Sequence, residues 1–472
     1  MNPNLTNKLD TTLLIFGIVI FAAVLTWIVP AGSYERETVE IQGVGLRDVI
    51  VAGSFSFLDT PTPQGISAVL TAPLNGFIAA ADIIGFVLIV GGAFGIFFKT
   101  GAVDAGIRRI VSSASTNRFI EVSIVPILMI IFSLGGATYG MAEEILPMIL
   151  VFVPLSRALG YDTIVGVAIP YIGASVGFAA APLNPFTVGI AQGIAEIPLF
   201  SGQGLRWGLW FVCTAIAISF VMVYAIRVKK DPAKSLVYGF ETTNLTKFNE
   251  VDVANTILNA KHKLVLLAFV IGMVSLVFGV LVYGWYIVEL SGLFLLIGIV
   301  VGLLGGLTAK DSSMAFVDGA SSLLKTALII GLARAILVVL ENGQIIDTIL
   351  NALANSIDGL SPIVTAQLMF LTQTVINFFV PSGSGQAALT MPLMAPLSDL
   401  VGVTRQTAVL AFQMGDGFTN MIIPTNAVLM GALTISGVTW QTWARWVIPL
   451  QLILMIIGLM TLAIAVSIGW GV

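Results

Sequence analysis

The chain has 472 residues, of which 57% are hydrophobic and 10% are charged, and its formal net charge at pH 7 is −4. Soluble domains carry about 25% charged residues, so this composition, with a mean hydropathy of +1.01, excludes a soluble globular protein. Since a spanning helix needs about 20 apolar residues, the length allows about ten or eleven spans. We therefore predict an all-α polytopic membrane protein, and because the sequence has no basic patch we expect no nucleic-acid partner.

The chain has one cysteine, Cys213, and one histidine, His262. Cys213 lies in an apolar segment and His262 in a polar loop, so a disulfide within the chain is impossible and a metal site of cysteine and histidine ligands is not expected. The sequence has no Gly-x-x-x-x-Gly-Lys-Ser/Thr motif, which argues against an ATP-driven pump within this chain. We predict no cofactor.

Apolar segments long enough to enter a membrane succeed one another along the first half, residues 1–228. Residues 11–30 are not followed by a small-residue cleavage site, so we interpret them as a retained first span rather than a signal peptide. A polar stretch, residues 31–63, comes next. The later apolar segments of this half are 76–98, 119–134, 145–154, 163–181 and 207–226.

A polar loop, residues 229–263, separates the two halves and is too short for a separate domain. Together with Arg227 it holds seven basic residues, so the positive-inside rule predicts that it is cytoplasmic. We expect the chain to lie in the inner, or plasma, membrane. The apolar segments of the second half, residues 264–472, are 264–283, 286–307, 320–340, 362–379, 404–423 and 446–468.

The two halves match each other at a constant offset of 242 residues. The matched positions are Gly101 and Gly343, Pro154 and Pro396, Gly160 and Gly402, Gly173 and Gly415, Pro182 and Pro424, Asn184 and Asn426, and Gly189 and Gly431. Glycine and proline set the shape of the backbone, whereas chance similarity between apolar segments would match leucine and valine. The offset therefore predicts an internal structural repeat.

The charges of two matched segments indicate how the repeats are oriented. Residues 99–118 contain four basic side chains and are predicted to be cytoplasmic. Their counterparts, residues 341–360, contain Glu341, Asp347 and Asp358 and no lysine or arginine, and are predicted to lie outside. Corresponding segments on opposite faces predict an inverted-topology repeat, an architecture of many secondary transporters.

Each repeat is predicted to contain one re-entrant hairpin and one broken helix. Prolines interrupt the apolar segments 163–198 and 404–437, and the freed backbone groups need partners that lipid cannot provide. The hairpins are predicted at about 139–158 and 382–401, because the apolar run after each glycine-rich stretch has about 12 residues, too few to cross a bilayer. The alternative is a kinked ordinary span with glycines for packing.

Two adjacent carboxylates, Glu143 and Glu144, lie inside the first hairpin between apolar segments. A charge at membrane depth costs about 2.5–3.5 kcal/mol on insertion scales, so such residues face protein, water or a ligand. We interpret them as part of a binding site. The alternatives are a buried structural ion pair and a hairpin end near the membrane interface.

Asp416 is a third carboxylate in an apolar segment, and its counterpart in the first repeat is Ala174. Either the repeats differ in function here, or Asp416 forms a local ion pair, for which Arg334 is the candidate partner because it also lies in mid-span. Lys325 is nearer to a helix end and can snorkel, so we interpret it as structural. Asn420, four residues after Asp416, is included among the candidate site residues.

Six motifs carry a resemblance to a known family. They are Gly140-Met-Ala-Glu-Glu144, Ala158-Leu-Gly-Tyr-Asp162, Asn184-Pro-Phe186, Ile190-Ala-Gln192, Pro381-Ser-Gly-Ser-Gly-Gln386 and Gly415-Asp-Gly417. With these motifs the chain resembles, along nearly its whole length, the YfcC family of the ion transporter superfamily, which also includes carriers of four-carbon dicarboxylates.

The resemblance implies a homodimer whose protomers have a scaffold domain and a transport domain that moves like an elevator. Members are similar to antiporters of basic amino acids, and relatives include arginine/ornithine exchangers. Sodium-coupled dicarboxylate relatives carry Ser-Asn-Thr motifs at both hairpin tips, and their absence here argues against a dicarboxylate. The substrate-site residues carried over from the family are Glu143, Glu144, Ser382, Ser384 and Gln386 at the hairpin tips and Asn184, Thr425 and Asn426 at the breaks.

We predict a secondary active transporter, an antiporter of a cationic amino acid such as arginine or ornithine. The cationic side chain would pair with Glu143 or Glu144, and the α-carboxylate would meet backbone N–H groups at half-helix N-termini. The alternative is a carrier of dicarboxylates or other carboxylates coupled to Na⁺ or H⁺, in which a Na⁺ ion could bind near Asn184 and Asn426.

A third alternative is an intramembrane serine hydrolase that uses Ser382 or Ser384. Such a nucleophile needs a general base beside it. His262 is predicted in a cytoplasmic loop, and no lysine is evident near the serines in the sequence. We therefore predict that the protein is not an enzyme.

Overall fold

A computed structural model gives the fold and describes residues 11–41, 45–239, 258–355 and 360–471. Helices make up most of this part of the chain. Those of the first half are α1 Thr11–Ile28, α2 Ile66–Ala79, α3 Ala81–Lys99, α4 Ala102–Thr116, α5 Arg118–Tyr139, α6 Ile145–Ala158, α7 Thr163–Ala179, α8 Ile190–Ile194 and α9 Gln203–Lys230. Those of the second half are α10 Ala260–Tyr283, α11 Ile287–Gly305, α12 Ala309–Ser322, α13 Leu324–Asn342, α14 Ile346–Asn355, α15 Pro362–Phe379, α16 Gly383–Leu400, α17 Arg405–Thr419, α18 Ala427–Ser436 and α19 Trp440–Ser467.

Seven helices in the described part are long and apolar enough to cross a membrane, namely α3, α5, α9, α10, α11, α15 and α19. A further pair, α12 and α13, reaches that length together but bends by 42°. The prediction of an α-helical multi-pass membrane protein is confirmed. The full-length helices are fewer than the ten or eleven spans that the length allows, because proline and glycine divide other apolar segments into shorter helices such as α7 and α18.

The polar stretch between α1 and α2 forms two small antiparallel strand pairs that the sequence analysis did not predict. Strand β1 (Gly32–Ser33) pairs with β4 (Ser56–Phe57), and β2 (Arg36–Ile41) pairs with β3 (Gly45–Ile50). We call this segment the ribbon. It is bound to α14 through Arg36, whose Nη2 lies 3.0 Å from both carboxylate oxygens of Asp347. Burial and the charge of Asp347 raise the pKa of Tyr34 to about 12, so its hydroxyl stays neutral.

The offset of 242 residues recurs in the positions of the helices. Adding 242 to the bounds of α7 gives 405–421, against Arg405–Thr419 for α17, and the last residue of α8 falls on Ser436, the end of α18. The helix starts also match, since Asp162 caps α7 and Thr404, 242 residues later, caps α17. A capping side chain accepts a hydrogen bond from a backbone N–H that would otherwise be unpaired in the first helical turn.

The contacts between helices also follow the repeat, with the two partners exchanged. Counterparts by the offset are α2 with α12 and α3 with α13, and the fold packs α2 against α13 and α3 against α12. Glycine permits both close approaches: a Cβ on Gly76 would lie 2.2 Å from the carbonyl oxygen of Gly331, and one on Gly95 would lie 2.2 Å from that of Ala315. Small residues at crossings are typical of membrane helices.

Helices α7 and α17 begin at opposite ends of α9. The hydroxyl of Tyr224, near the end of α9, donates to Asp162 at the start of α7 over 2.6 Å. Arg206, in the first turn of α9, donates through Nη2 to Gln406 at the start of α17 over 3.1 Å. Since α9 is continuous over 28 residues, or about 42 Å, these two contacts are far apart.

Candidate functional site

The tips of the two predicted hairpins, residues 139–144 (the first tip) and 382–386 (the second tip), both lie near the breaks that follow α7 and α17. Gly140, at the first tip, has a left-handed φ of 74°, and a Cβ there would lie 2.5 Å from Asn184 Oδ1. Gly383, at the second tip, is as tightly placed, since its Cβ would lie 2.4 Å from Thr187 Cγ2 and 3.1 Å from Asp416 Oδ2. The tips therefore converge on one region, where glycine permits contact with the broken segments.

A cavity of about 280 Å³ lies between these tips and a wall formed by α2, α3 and α13. We call it the central cavity. Of the ten candidate site residues, six line it: Glu143, Ser382, Ser384, Asn420, Thr425 and Asn426. The remaining four, Glu144, Asn184, Gln386 and Asp416, are buried around it.

The two adjacent glutamates have different surroundings. Glu143 lines the central cavity. Glu144 is 7% exposed, and its Oε2 accepts a hydrogen bond from the backbone N–H of Ala142 at 3.0 Å. Neither forms a salt bridge within the part of the chain that the structure describes, so the structure does not form the ion pair that was the alternative interpretation. Glu143 is therefore the carboxylate that faces the cavity, and Glu144 is hydrogen-bonded to the backbone of the tip.

Gln386 stabilises the second tip and does not line the central cavity. It is 0% exposed, and its Nε2 donates to the backbone oxygen and to Oε1 of Gln373 at 2.9 and 2.7 Å. It is also the counterpart of Glu144 by the offset of 242 residues. Both tips thus use the same position for a buried polar side chain that fixes the tip.

Asn184 caps a short π-helical segment, Pro185–Gly189, that continues into α8, and Asn426 caps α18. Asn184 Oδ1 accepts from Phe186 N, and Asn426 Oδ1 accepts from Leu429 N, each at 2.9 Å. Asn426 reaches the cavity, whereas Asn184 is 0% exposed and its Nδ2 has no acceptor among the described residues. The two asparagines are equivalent in the sequence repeat, but their surroundings differ because the first tip packs over Asn184.

A polar cluster lies behind the cavity in the second repeat. Asn377 Nδ2 donates to the backbone oxygen of Asp416 and to Asn420 Oδ1, at 2.8 and 3.0 Å. Asn420 Nδ2 donates to Asp416 Oδ1 at 3.2 Å, and Asn426 Nδ2 donates to Asn420 Oδ1 at 2.9 Å. Two buried oxygens of the cluster, Asp416 Oδ2 and Asn377 Oδ1, have no donor among the described residues. An unpaired buried acceptor costs about 1–3 kcal/mol, so each of these oxygens lacks a partner that a proton or another donor would supply.

Two charged residues of the central cavity, Asp82 and Arg334, were missing from the predicted site. Asp82 is in the first turn of α3, and Arg334 is on α13. The ion pair between Arg334 and Asp416, one of the two alternatives for Asp416, does not form among the described residues. Arg334 faces the cavity, and Asp416 is paired with Asn420. The rule that singled out Glu143, a carboxylate in an apolar segment, would also have found Asp82.

Seven candidate spans and a cavity that is lined in part by charged groups are the features of a multi-pass membrane protein of the transporter class. The profile of the DcuC family, described as C4-dicarboxylate anaerobic carrier, matches residues 9–467. The chain is 40% identical over 469 residues to the Escherichia coli K12 protein YfcC, provisionally named as a basic amino acid antiporter, with 92% of each chain covered. The chain therefore belongs to the DcuC family.

Two further similarities are more distant. An uncharacterised protein of Haemophilus influenzae is 32% identical over 498 aligned positions, with 96% of each chain covered. Among solved structures, the YdaH transporter of Alcanivorax borkumensis aligns with 98% of this chain and 99% of its own, at 17% identity and a TM-score of 0.44. That structural likeness is too weak to carry an argument about the site.

Proposed function

We propose that the protein is a secondary active antiporter that binds a cationic amino acid, of the arginine or ornithine type, in the central cavity. One observation carries the proposal: the cavity presents both signs of charge, with Arg334 on α13 and the carboxylates Glu143 and Asp82 on other elements. A cationic amino acid has an α-carboxylate and an α-ammonium at one end and a second cation at the other. Arg334 would bind the α-carboxylate as a fork, and the acids would bind the side chain.

This assignment changes one detail of the sequence-based mechanism. The α-carboxylate was expected to meet backbone N–H groups at half-helix N-termini. With Arg334 in the cavity, an arginine side chain takes that role, and Ser382, Ser384 and Asn426 complete the polar lining.

We also propose that the two halves are an inverted repeat. Support comes from the matched helix bounds, from the exchanged contacts of α2 and α3 with α13 and α12, and from the starts of α7 and α17 at opposite ends of α9. If the two repeats had the same orientation, α7 and α17 would begin at the same end of α9. A transport domain of tips and broken helices would then move, elevator-like, against a scaffold that includes α2, α3 and α13.

The orientation and assembly are proposals of the same kind. We place the protein as a homodimer in the inner membrane with the loop 229–263 in the cytoplasm. The basic end of α9, with Arg227, Lys229 and Lys230, supports a cytoplasmic position. Residues 240–257 of that loop lie outside the described part of the chain, as does Asp358 of the outer segment.

A cation-coupled carrier of carboxylates is the second candidate. Arg334 would then bind a substrate carboxylate, and the unpaired oxygens of Asp416 and Asn377 would take up the coupling proton or Na⁺. The family description, C4-dicarboxylate anaerobic carrier, also favours it. Against it, a dicarboxylate would bring two negative charges into a cavity that already holds Glu143 and Asp82.

The test is transport by the purified protein in proteoliposomes loaded with ornithine. We expect labelled arginine to be taken up by exchange, and Glu143→Gln to lower the uptake more than tenfold, since it removes a charge-assisted partner of the substrate cation. Glu289→Gln, an exposed glutamate at the start of α11, is the matched control and should leave uptake unchanged. Uptake of succinate but not of arginine would instead establish the second candidate.

A further inference from the structure

A second cavity, of about 500 Å³, lies between the ribbon, the end of α13, α14 and the second tip. We call it the ribbon cavity. Three residues, Arg334, Leu337 and Ser382, line both this cavity and the central cavity. The two spaces are therefore neighbours that meet at Arg334, and a ligand moving between the ribbon side and the central cavity would pass this arginine.

The wall of the ribbon cavity is fixed by contacts far apart in sequence. Arg36 binds both oxygens of Asp347 at 3.0 Å, and the N–H of Tyr34 donates to Asp347 Oδ2 at 3.0 Å. The hydroxyl of Tyr34 also donates to Asn351 Oδ1, at 3.1 Å. Asp347 is 4% exposed and already compensated by Arg36, so these two charges serve the wall and are not free for a ligand.

Three other charged residues line the ribbon cavity. Asp48, on β3, accepts a hydrogen bond from the hydroxyl of Thr38 at 2.7 Å. Arg334 and Glu341 both lie on α13 and both line the cavity. Neither forms a salt bridge or a side-chain hydrogen bond within the described residues, and Glu341 interacts with the positive charges of Arg334 and Arg36 only at longer range. The buried Nε of Arg334 is without an acceptor there. Seven residues separate them, which is two helical turns, so they lie on one face about 10 Å apart along the axis. Leu337 lies between them on that face.

We propose that the ribbon cavity is a second binding site for the same cationic amino acid, occupied on the way to the central cavity. This inference depends on the proposed function. The substrate's α-carboxylate binds Arg334, and its distal cation binds Glu341. Ornithine and arginine carry these two charges at opposite ends of a flexible chain, and the long side chain of Arg334 covers the remaining distance. A dicarboxylate would place its second negative charge against Glu341, so the site also selects against it.

Because Arg334 lines both cavities, one arginine serves both sites in turn. In the ribbon cavity its partner acid is Glu341, and in the central cavity the partners are Glu143 and Asp82. A substrate can therefore keep its carboxylate on Arg334 while its cationic end moves from one acid to the next. This arrangement avoids a step in which a charged ligand loses all its partners at once, a costly state away from water.

The experiment measures exchange in proteoliposomes with the protein in one known orientation, and compares substrate supplied on the ribbon side with substrate supplied on the opposite side. We expect Glu341→Gln to raise KM for arginine about tenfold on the ribbon side only, with kcat within about twofold and KM on the opposite side unchanged. Glu341→Asp should keep most of the affinity. Glu37→Gln, an exposed acid on β2 that lines neither cavity, is the control.

Binding of labelled arginine to purified protein provides the second measurement. Glu143→Gln should still bind arginine through the ribbon cavity, and the double variant Glu143→Gln/Glu341→Gln should bind at least tenfold more weakly. The inference is overturned if Glu341→Gln leaves KM unchanged, if it raises KM equally from both sides, or if Glu143→Gln alone abolishes binding. If the wild-type protein neither binds nor carries arginine, the proposed function fails as well, and the two failures are thus distinguishable.

Discussion

At the scale of single residues, the site is decided by which of several similar side chains faces the cavity. Glu143 and Glu144 are adjacent and chemically identical, yet one lines the central cavity and the other accepts a backbone hydrogen bond inside the tip. Asp416 resembles both in sequence, but it is 0% exposed and lies in an asparagine cluster. The cost of burying an acid applies to all three, and it does not say which of them meets a ligand.

Asp416 provides a prediction about coupling. We expect Asp416→Asn to preserve the fold, because an asparagine fits the same space and can still accept from Asn420. If Asp416 Oδ2 takes up a coupling ion, the variant loses every dependence of uptake on a proton or Na⁺ gradient and keeps exchange. Uptake with and without each gradient, together with the melting temperature, provides the measurement. A gradient dependence equal to that of the wild type would exclude Asp416 from coupling.

At the scale of elements, glycine is required at the first tip for two separate reasons, and Gly160, just after α6, shares only one of them. Gly140 and Gly160 both have a left-handed φ, at 74° and 86°, which costs other residues about 1–2 kcal/mol. A Cβ at Gly160 would meet only the flexible side chain of Lys229, at 3.7 Å, whereas at Gly140 it would collide with Asn184. Comparing Gly140 with Gly160 therefore distinguishes the effect of backbone strain from the effect of the contact between the first tip and Asn184.

We expect Gly160→Ala and Gly140→Ala both to lower the melting temperature, and Gly140→Ala to lower arginine uptake at least tenfold in addition. The physical reason is that the extra methyl group displaces the first tip from Asn184 and moves Glu143 with it. Thermal unfolding and uptake are measured on both variants, with Gly160→Ala as the matched control for strain. Equal loss of uptake in the two would show that the contact at the tip is unimportant.

At the scale of the whole molecule, the proposed antiparallel arrangement of two copies places a cavity between tips from both. The copies are not identical in chemistry: the positions of Asp416 and Asn420 in the second repeat are occupied by Ala174 and Phe178 in the first. The polar cluster therefore lies on one side of the cavity. The ribbon, which follows α1, adds a further asymmetry, because it covers the second tip and α14.

The inverted arrangement predicts that equivalent positions are reached from opposite faces of the membrane. Ala158 at the end of α6 and Leu400 at the end of α16 are equivalent by the offset of 242 residues, and both are exposed. In a Cys213→Ser background, a membrane-impermeant maleimide added to intact cells should label Leu400→Cys and not Ala158→Cys. Both should react after permeabilisation. Labelling of both positions from outside would contradict the inverted repeat.

The sequence by itself determined the hydropathy, the positions of the breaks and the spacing of the repeat, because each depends on local properties such as apolar length, proline and helix caps. Asp162, Thr404, Asn184 and Asn426 cap helices where their residue types predict. Only the tertiary structure decided that Arg334 and Asp82 share a cavity with Glu143, and that the ribbon forms a wall against α14. Those relations join elements that lie far apart along the chain, and no local pattern records which faces of packed helices meet.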